Sequence, residues 1–128
     1  MNTSRRRAEL PELEMSQESF ATTPRPPYYA VIFSSQLREE EAGYGVTADR
    51  MVELAAQQPG YLGIETVRGN EGFGITVSYW QSEADILNWK RNAEHSLARE
   101  RGRNEWYEHF ELRVAKVERA YGGPTIKD

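Results

Sequence analysis

Strand-like and helix-like runs alternate along this chain in an order that few folds accommodate. Four runs are rich in aromatic and β-branched residues, which favour strands: YYAVIFSSQ (28–36), YLGIETVRG (61–69), GFGITVSYW (72–80) and a strand within WYEHFELRVAKVERAY (106–121). Two runs with helical apolar spacing separate them, ADRMVELAAQQ (48–58) and a stretch beginning EADILNWK at position 83. The order β-α-β-β-α-β predicts a ferredoxin-like α+β fold, in which both helices cover one face of a four-stranded antiparallel sheet.

Local start and stop signals support these boundaries. Thr47 is a suitable N-cap for the first helix, and Pro59-Gly60 is typical of its end. The run from Gly69 to Gly72 predicts a hairpin between the second and third strands. Ser82, with Asp85 three residues later, predicts the capped start of the second helix.

The strands carry apolar or aromatic residues on both alternating sets. In the third strand we assign Ile75, Val77 and Tyr79 to one face and Phe73 and Trp80 to the other. A sheet that is apolar on both faces needs cover on both. The two helices cover one face, and a second copy of the chain is the simplest cover for the other. We therefore expect a homodimer packed sheet against sheet.

Length and composition narrow the function classes. A chain of 128 residues suits one domain, which we assign to residues 28–121, with an N-terminal tail at 1–27 and a C-terminal tail at 122–128. The net charge of −4 argues against nucleic acid as the main partner, and no apolar run approaches membrane-spanning length. Without cysteines and with two histidines, the chain offers few metal ligands, so we expect no metal site. The arginines near the N-terminus lack a following apolar segment, and we expect a cytoplasmic protein.

The stretch VSYWQSEADILNWKRNAEH (77–95) holds two of the three tryptophans and one of the two histidines. One interpretation is that Trp80 and Trp89 are core residues, which is what their residue type alone favours, and that His95 is a partly exposed helix residue. The other is that these residues line a pocket. On one uninterrupted helix Trp89 and His95 would lie about 120° apart. Asn92, however, is a good N-cap, and a helix break there would turn both side chains inward.

A break at Asn92 would also place His95 and Arg99 in the same second helix, where residues four apart lie on one face. An aromatic-walled cavity with one imidazole and one fixed cation suits a planar, partly anionic aromatic molecule. The alternative for Arg99 is a solvated surface position.

Three segments together resemble the antibiotic biosynthesis monooxygenase (ABM) family: QPGYLGIE (58–65), GITVSYWQSEADILNWKRNAEH (74–95) and GRNEWYEHFELRVAKVE (102–118). The resemblance extends from about Tyr28 to Tyr121. It implies a dimeric α+β barrel with a cavity between the sheet and the helices of each subunit.

The same resemblance implies a cofactor-independent monooxygenase that acts on a small aromatic or quinol-type compound, whose own carbanion activates oxygen. It makes Trp89 the cavity wall and His95 a proton acceptor, a role that suits histidine near neutral pH. Together these are our candidate catalytic residues. For substrate contacts we assign five further residues: Phe33, Ser35, Trp80, Arg99 and Tyr107.

Two alternatives stay open. A non-catalytic small-molecule-binding or stress-response dimer could use the same cavity without turnover. Haem-degrading enzymes share the fold and the nine-residue spacing from Trp80 to Trp89, but their iron-binding histidine lies ten residues beyond the helical tryptophan. Arg99 occupies that position here, and YYAVIFSSQ offers serines where those enzymes have an asparagine. Haem binding therefore ranks third.

Overall fold

The structure, a computed structural model, describes residues 20–38, 51–99 and 107–124, and of residues 95–99 it describes the backbone. Four strands form one sheet: β1 (Tyr28–Leu37), β2 (Tyr61–Arg68), β3 (Phe73–Trp80) and β4 (Tyr107–Val117). Residues 51–56 are helical and belong to α1, and α2 spans Glu83–Arg99. The strand order is β2-β3-β1-β4 and every neighbouring pair is antiparallel. The predicted ferredoxin-like α+β fold is confirmed.

Both helices pack on the same face of the sheet. Trp80 is fully buried, and it forms a core with Val31 of β1, Ala55 of α1 and Ile86 of α2. Burying an indole together with aliphatic groups removes a large apolar area from water, which holds the helices against the strands. We call this face the helix side and the opposite face the outer side.

Directly paired residues on antiparallel strands point to the same face, so the strand register arranges the helix side in four rows across the sheet. In the order β2, β3, β1 and β4, row 1 is Tyr61, Trp80, Tyr29 and Lys116; row 2 is Ile64, Ser78, Val31 and Val114; row 3 is Thr66, Thr76, Phe33 and Leu112; row 4 is Arg68, Gly74, Ser35 and Phe110. The helix-packed core lies over rows 1 and 2.

The turns form where the sequence predicts them. In the hairpin, the amide of Gly69 donates to the Phe73 carbonyl (2.9 Å), and Gly72 has a φ of 95°, which favours glycine. At the start of α2, the amide of Asp85 donates to the Ser82 hydroxyl (3.1 Å), which in turn donates to the Asp85 carboxylate (2.8 Å). The hairpin and the capped helix start are confirmed, whereas Thr47 lies outside the described residues.

Gly60, in the predicted stop after α1, allows close contact with α2. Its φ is 83°, and a Cβ there would lie 2.1 Å from Oδ2 of Asp85. Its carbonyl accepts a hydrogen bond from the amide of Gln81 (2.8 Å). A larger residue would therefore push the turn away from the first turn of α2.

The outer side corrects one detail of the predicted pattern. Phe73 pairs with Gln36, and Ile75 pairs with Ser34, so both point to the outer side. The assignment of Phe73 and Ile75 to opposite faces was wrong, because residues two apart in a strand share a face. The outer side is thereby more apolar than predicted, and Val67 and Phe73 are 69% and 53% exposed there.

Ala21 and Thr23, in the predicted N-terminal tail, contact the sheet. The amide of Ala21 donates to Oε2 of Glu65 (2.9 Å), and the hydroxyl of Tyr79 donates to Oε1 of the same carboxylate (2.8 Å). Thr23 donates to the hydroxyl of Tyr28 (3.0 Å), and Tyr28 as a whole residue is 5% exposed. These contacts lie at the Tyr28–Tyr79 end of the outer side. In the described ranges, no helix is long and apolar enough to cross a membrane.

Candidate functional site

Helix α2 is continuous from Glu83 to Arg99, so the predicted break at Asn92 is wrong. The Asn92 side chain caps no new helix; it donates to Oε1 of Gln58 (2.9 Å), which also accepts from Asn88 (3.3 Å). Positions 89 and 95 of an unbroken helix lie about 120° apart around its axis. The side chains of His95 and Arg99 lie outside the described part of the chain, and their assigned roles stay predictions.

The two tryptophans pack against each other. Their ring centroids are 6.2 Å apart with planes 20° apart, and Nε1 of Trp80 donates to the Ser78 hydroxyl (2.9 Å). Tyr61 meets Trp80 edge-on at 5.6 Å. Trp80 is a core residue in this structure, with its one polar atom satisfied. Trp89 is half-buried and forms the edge of that core. Their assignments as catalytic and substrate-binding residues stay predictions.

A separate group of aromatic side chains occupies the other end of the helix side. Phe33 contacts Tyr107 and Phe110 with ring centroids 5.4 Å apart in each case, and Tyr107 and Phe110 are 5.9 Å apart. We call these three residues the aromatic cluster. Beside it on β4, Leu112 and Val114 are 47% and 48% exposed on the helix side. The structure thus brings Phe33 and Tyr107 together, away from Trp80.

Ser35, the remaining described residue of the predicted substrate contacts, lies in row 4 next to the aromatic cluster. It is 1% exposed, and its hydroxyl accepts from Nη2 of Arg68 (2.8 Å). Nη1 of Arg68 also donates to the carbonyls of Ser35 and Gly72. The guanidinium lies across Gly74, where a Cβ would come within 2.7 Å of its Cζ. Ser35 is therefore part of a polar anchor between β1 and the hairpin.

Row 3 is polar on β2 and β3 and apolar on β1 and β4. The hydroxyls of Thr66 and Thr76 are 2.7 Å apart, and both threonines are half-buried. Phe33 pairs with Thr76 on one side and with Leu112 on the other. A ligand in this row would meet hydroxyls at one end and ring or methyl groups at the other.

Sequence reasoning missed Arg68, Phe110 and the threonine pair. Glycine at position 74, inside a strand, was the available signal for Arg68, since such glycines often mark a close approach. Grouping the others requires the strand register. The register includes shifts between Tyr61 and Gly63 and between Gln36 and Leu37.

The described tyrosines with shifted titration are not suited to proton transfer at neutral pH. Burial raises the pKa of Tyr61 above its ordinary value of 10.0. Burial first, and then the hydrogen bond and negative charge of Glu65, raise the pKa of Tyr79 to about 12. In the ranges that the structure describes, no three His, Asp or Glu side chains form a group that could hold a metal ion.

Comparison with known proteins agrees with the fold. The family model of the antibiotic biosynthesis monooxygenases matches residues 27–101. The chain is 60% identical over 97 residues to the uncharacterized protein YqjZ of Bacillus subtilis, a match that covers 76% of this chain and 85% of that protein. It is 24% identical over 110 residues to the jasmonate monooxygenase ABM of Pyricularia oryzae, covering 84% of this chain but 46% of the fungal protein.

Two solved structures share the fold at 13% identity. PA3566 from Pseudomonas aeruginosa aligns with a TM-score of 0.52 over 77% of this chain and 99% of its own. NE2512 from Nitrosomonas europaea, a protein of unknown function, aligns with a TM-score of 0.56 over 79% and 97%. Because the family model covers more than half of the residues, the chain belongs to the antibiotic biosynthesis monooxygenase family.

Proposed function

We propose that the protein is a cofactor-independent monooxygenase that oxidises a small aromatic or quinol-type compound on the helix side of its sheet. The observation that carries this proposal is the aromatic cluster of Phe33, Tyr107 and Phe110, which lies beside half-buried hydroxyls on the same face. Aromatic surface with a few placed polar groups is what binds flat molecules in proteins. Family membership and the similarity to a protein named as a monooxygenase support the reaction class.

The proposed reaction needs no outside reductant. A phenol, in the keto tautomer that carries a ring CH₂ group, loses a proton from that group, and the carbanion passes electrons to O₂. One oxygen atom ends as the new C=O, and the other leaves as water with the two hydrogens of the CH₂ group. The protein has to hold the ring, exclude water and accept the first proton.

In this proposal His95 accepts that proton. Positions 89 and 95 lie about 120° apart on the unbroken helix, so the proposal does not require the two residues to share one helix face. In the proposal Trp89, stacked on Trp80, forms the wall at the packed end of the helix side. Arg99 supplies a positive charge one helical turn beyond His95.

The proposal includes a homodimer that packs through the outer side. Val67, Phe73 and Ile75 are exposed large apolar residues that this face brings together. Contiguous exposed apolar residues of this kind are typical of protein interfaces. The end of the outer side near Tyr28 is contacted by Ala21 and Thr23, so in the proposal a second copy covers the other end.

Oxygen-electrode assays with anthrone and a panel of hydroquinones test the proposal. We expect uptake above the uncatalysed rate, and a loss of about 100-fold or more in His95→Ala, as expected when a general base is removed. His109→Ala is the control for loss of an imidazole, because His109 is exposed on the outer side of β4, where its ring hydrogen-bonds to Glu111, and sedimentation of this variant checks that the dimer is kept. No uptake above background, with ligand binding retained in His95→Ala, would favour the non-catalytic binding protein. A haemin Soret band that disappears in His95→Ala would favour haem binding instead.

A further inference from the structure

The threonine pair of row 3 has the geometry of a ligand anchor. We propose that the hydroxyls of Thr66 and Thr76 together bind an oxygen substituent of a planar aromatic ligand whose ring lies on Phe33. This inference rests on the proposed function for the class of ligand. It adds the two residues that would fix the position of the substrate oxygen.

The hydrogen-bonding capacity of the pair supports this role. Their oxygens are 2.7 Å apart, so one hydroxyl donates to the other. The accepting hydroxyl keeps its own hydrogen for a further acceptor, and the donating hydroxyl keeps its lone pairs for a further donor. The pair can therefore donate to a phenolate or quinone oxygen, or accept from a phenol, without breaking its own hydrogen bond.

In the neighbouring rows, the serine hydroxyls accept hydrogen bonds from other side chains of the protein. In row 2 the Ser78 hydroxyl accepts from the buried indole of Trp80, and in row 4 the Ser35 hydroxyl accepts from the guanidinium of Arg68. Ser78 and Ser35 are also buried, at 9% and 1% exposure, whereas Thr66 and Thr76 are half-buried. Row 3 is thus the row in which paired hydroxyls and accessible surface coincide.

The position of Phe33 defines the shape of the ligand. Phe33 pairs directly with Thr76, and neighbouring strands lie about 4.8 Å apart. A ring lying on Phe33 would therefore bring an oxygen on its edge to the threonine pair. Leu112, on the other side of Phe33 and 47% exposed, extends the apolar surface for a second fused ring. The geometry fits a fused bicyclic or larger ring with one oxygen at its edge.

Equilibrium dialysis with two probes tests the anchor. The probes are 1-naphthol and naphthalene, which share the fused ring and differ in the oxygen. We expect the wild-type protein to bind 1-naphthol more tightly, and Thr66→Val and Thr76→Val each to weaken that binding about five- to tenfold, the effect of losing one hydrogen bond. Naphthalene binding should stay unchanged, because valine keeps the shape of threonine.

Thr22→Val is the matched control, since Thr22 is exposed in the N-terminal segment. Circular dichroism and thermal unfolding of each variant check the fold. Equal affinity for the two probes, no binding of either, or no effect of the valine substitutions would overturn the inference.

Oxygen uptake with the same variants separates the inference from the proposed function. Turnover that is unaffected by both valine substitutions would overturn the anchor and leave the monooxygenase standing. Threonine-dependent binding of 1-naphthol, with no oxygen uptake for anthrone or any of the hydroquinones, would support the anchor and remove the monooxygenase.

Discussion

The indole of Trp89 stacks on the indole of Trp80, with centroids 6.2 Å apart and planes 20° apart. This contact ties α2 to the end of β3, the strand that precedes it. It also separates the helix side into a packed part, over rows 1 and 2, and a part with half-buried and exposed side chains around the aromatic cluster. We propose that the ligand binds in the second part.

Replacing Trp89 with alanine should destabilise the protein by about 2–3 kcal/mol, below the cost for a fully buried tryptophan because Trp89 is half-buried. Urea denaturation measures this loss. The near-ultraviolet circular dichroism of the stacked indoles should weaken at the same time. Leu87→Ala is the control, since Leu87 is 48% exposed on the same helix and should cost well under about 1 kcal/mol. Equal losses in the two variants would contradict the packing role of the stack.

The carboxylate of Glu65 should contribute to the raised pKa of Tyr79, after the larger effect of burial. Burial and Glu65 raise the pKa of Tyr79 to about 12, above the ordinary value of 10.0. The neutral phenol is therefore favoured by folding, so this contribution to stability is complete below about pH 10 and is lost as the pH rises towards 12. Glu65→Gln should lower the pKa of Tyr79 while leaving it above 10, because burial, the larger cause, remains.

Absorbance at tyrosinate wavelengths follows this titration. Glu71→Gln is the control, because Glu71 lies in the exposed hairpin loop. A tyrosine titration that is identical in Glu65→Gln and wild type would show that the hydrogen bond from Tyr79 has no such effect.

The outer side should carry the dimer contact. Sedimentation of the wild-type protein at micromolar concentration should give twice the mass of one chain, and Val67→Glu should shift it towards the monomer, since a carboxylate in an apolar interface is strongly unfavourable. Leu87→Glu introduces the same charge on α2, away from the outer side, and should leave the dimer intact. A monomeric wild-type protein would contradict the two-faced sheet argument.

How far the sequence predicted this structure varies between elements. The strand starting at Tyr28, the hairpin at Gly69 to Gly72 and the cap at Ser82 were predictable, because each depends on residues close in the chain. Asn92 was misjudged, because its capping preference is local, whereas its side chain in the continuous helix bonds to Gln58, which is distant in sequence. Capping preferences are weak enough for such contacts to override them.

Of the residues assigned as substrate contacts, Phe33 and Tyr107 lie together on one surface, whereas Trp80 lies at the other end of the same face. Their roles in binding stay predictions. Row 3 could not be predicted, because the strand register decides that Thr66 and Phe33 lie in the same row. That register is changed by the shift between Tyr61 and Gly63. A one-residue slip would send every side chain of a strand to the opposite face.

Chemical-shift mapping by NMR during titration with 1-naphthol tests the location of the site most directly. We predict the largest changes at Phe33, Thr66 and Thr76, and smaller changes at Leu112, Tyr107 and Phe110. Changes centred on Val67 and Phe73 of the outer side, or no changes at saturating probe, would contradict it.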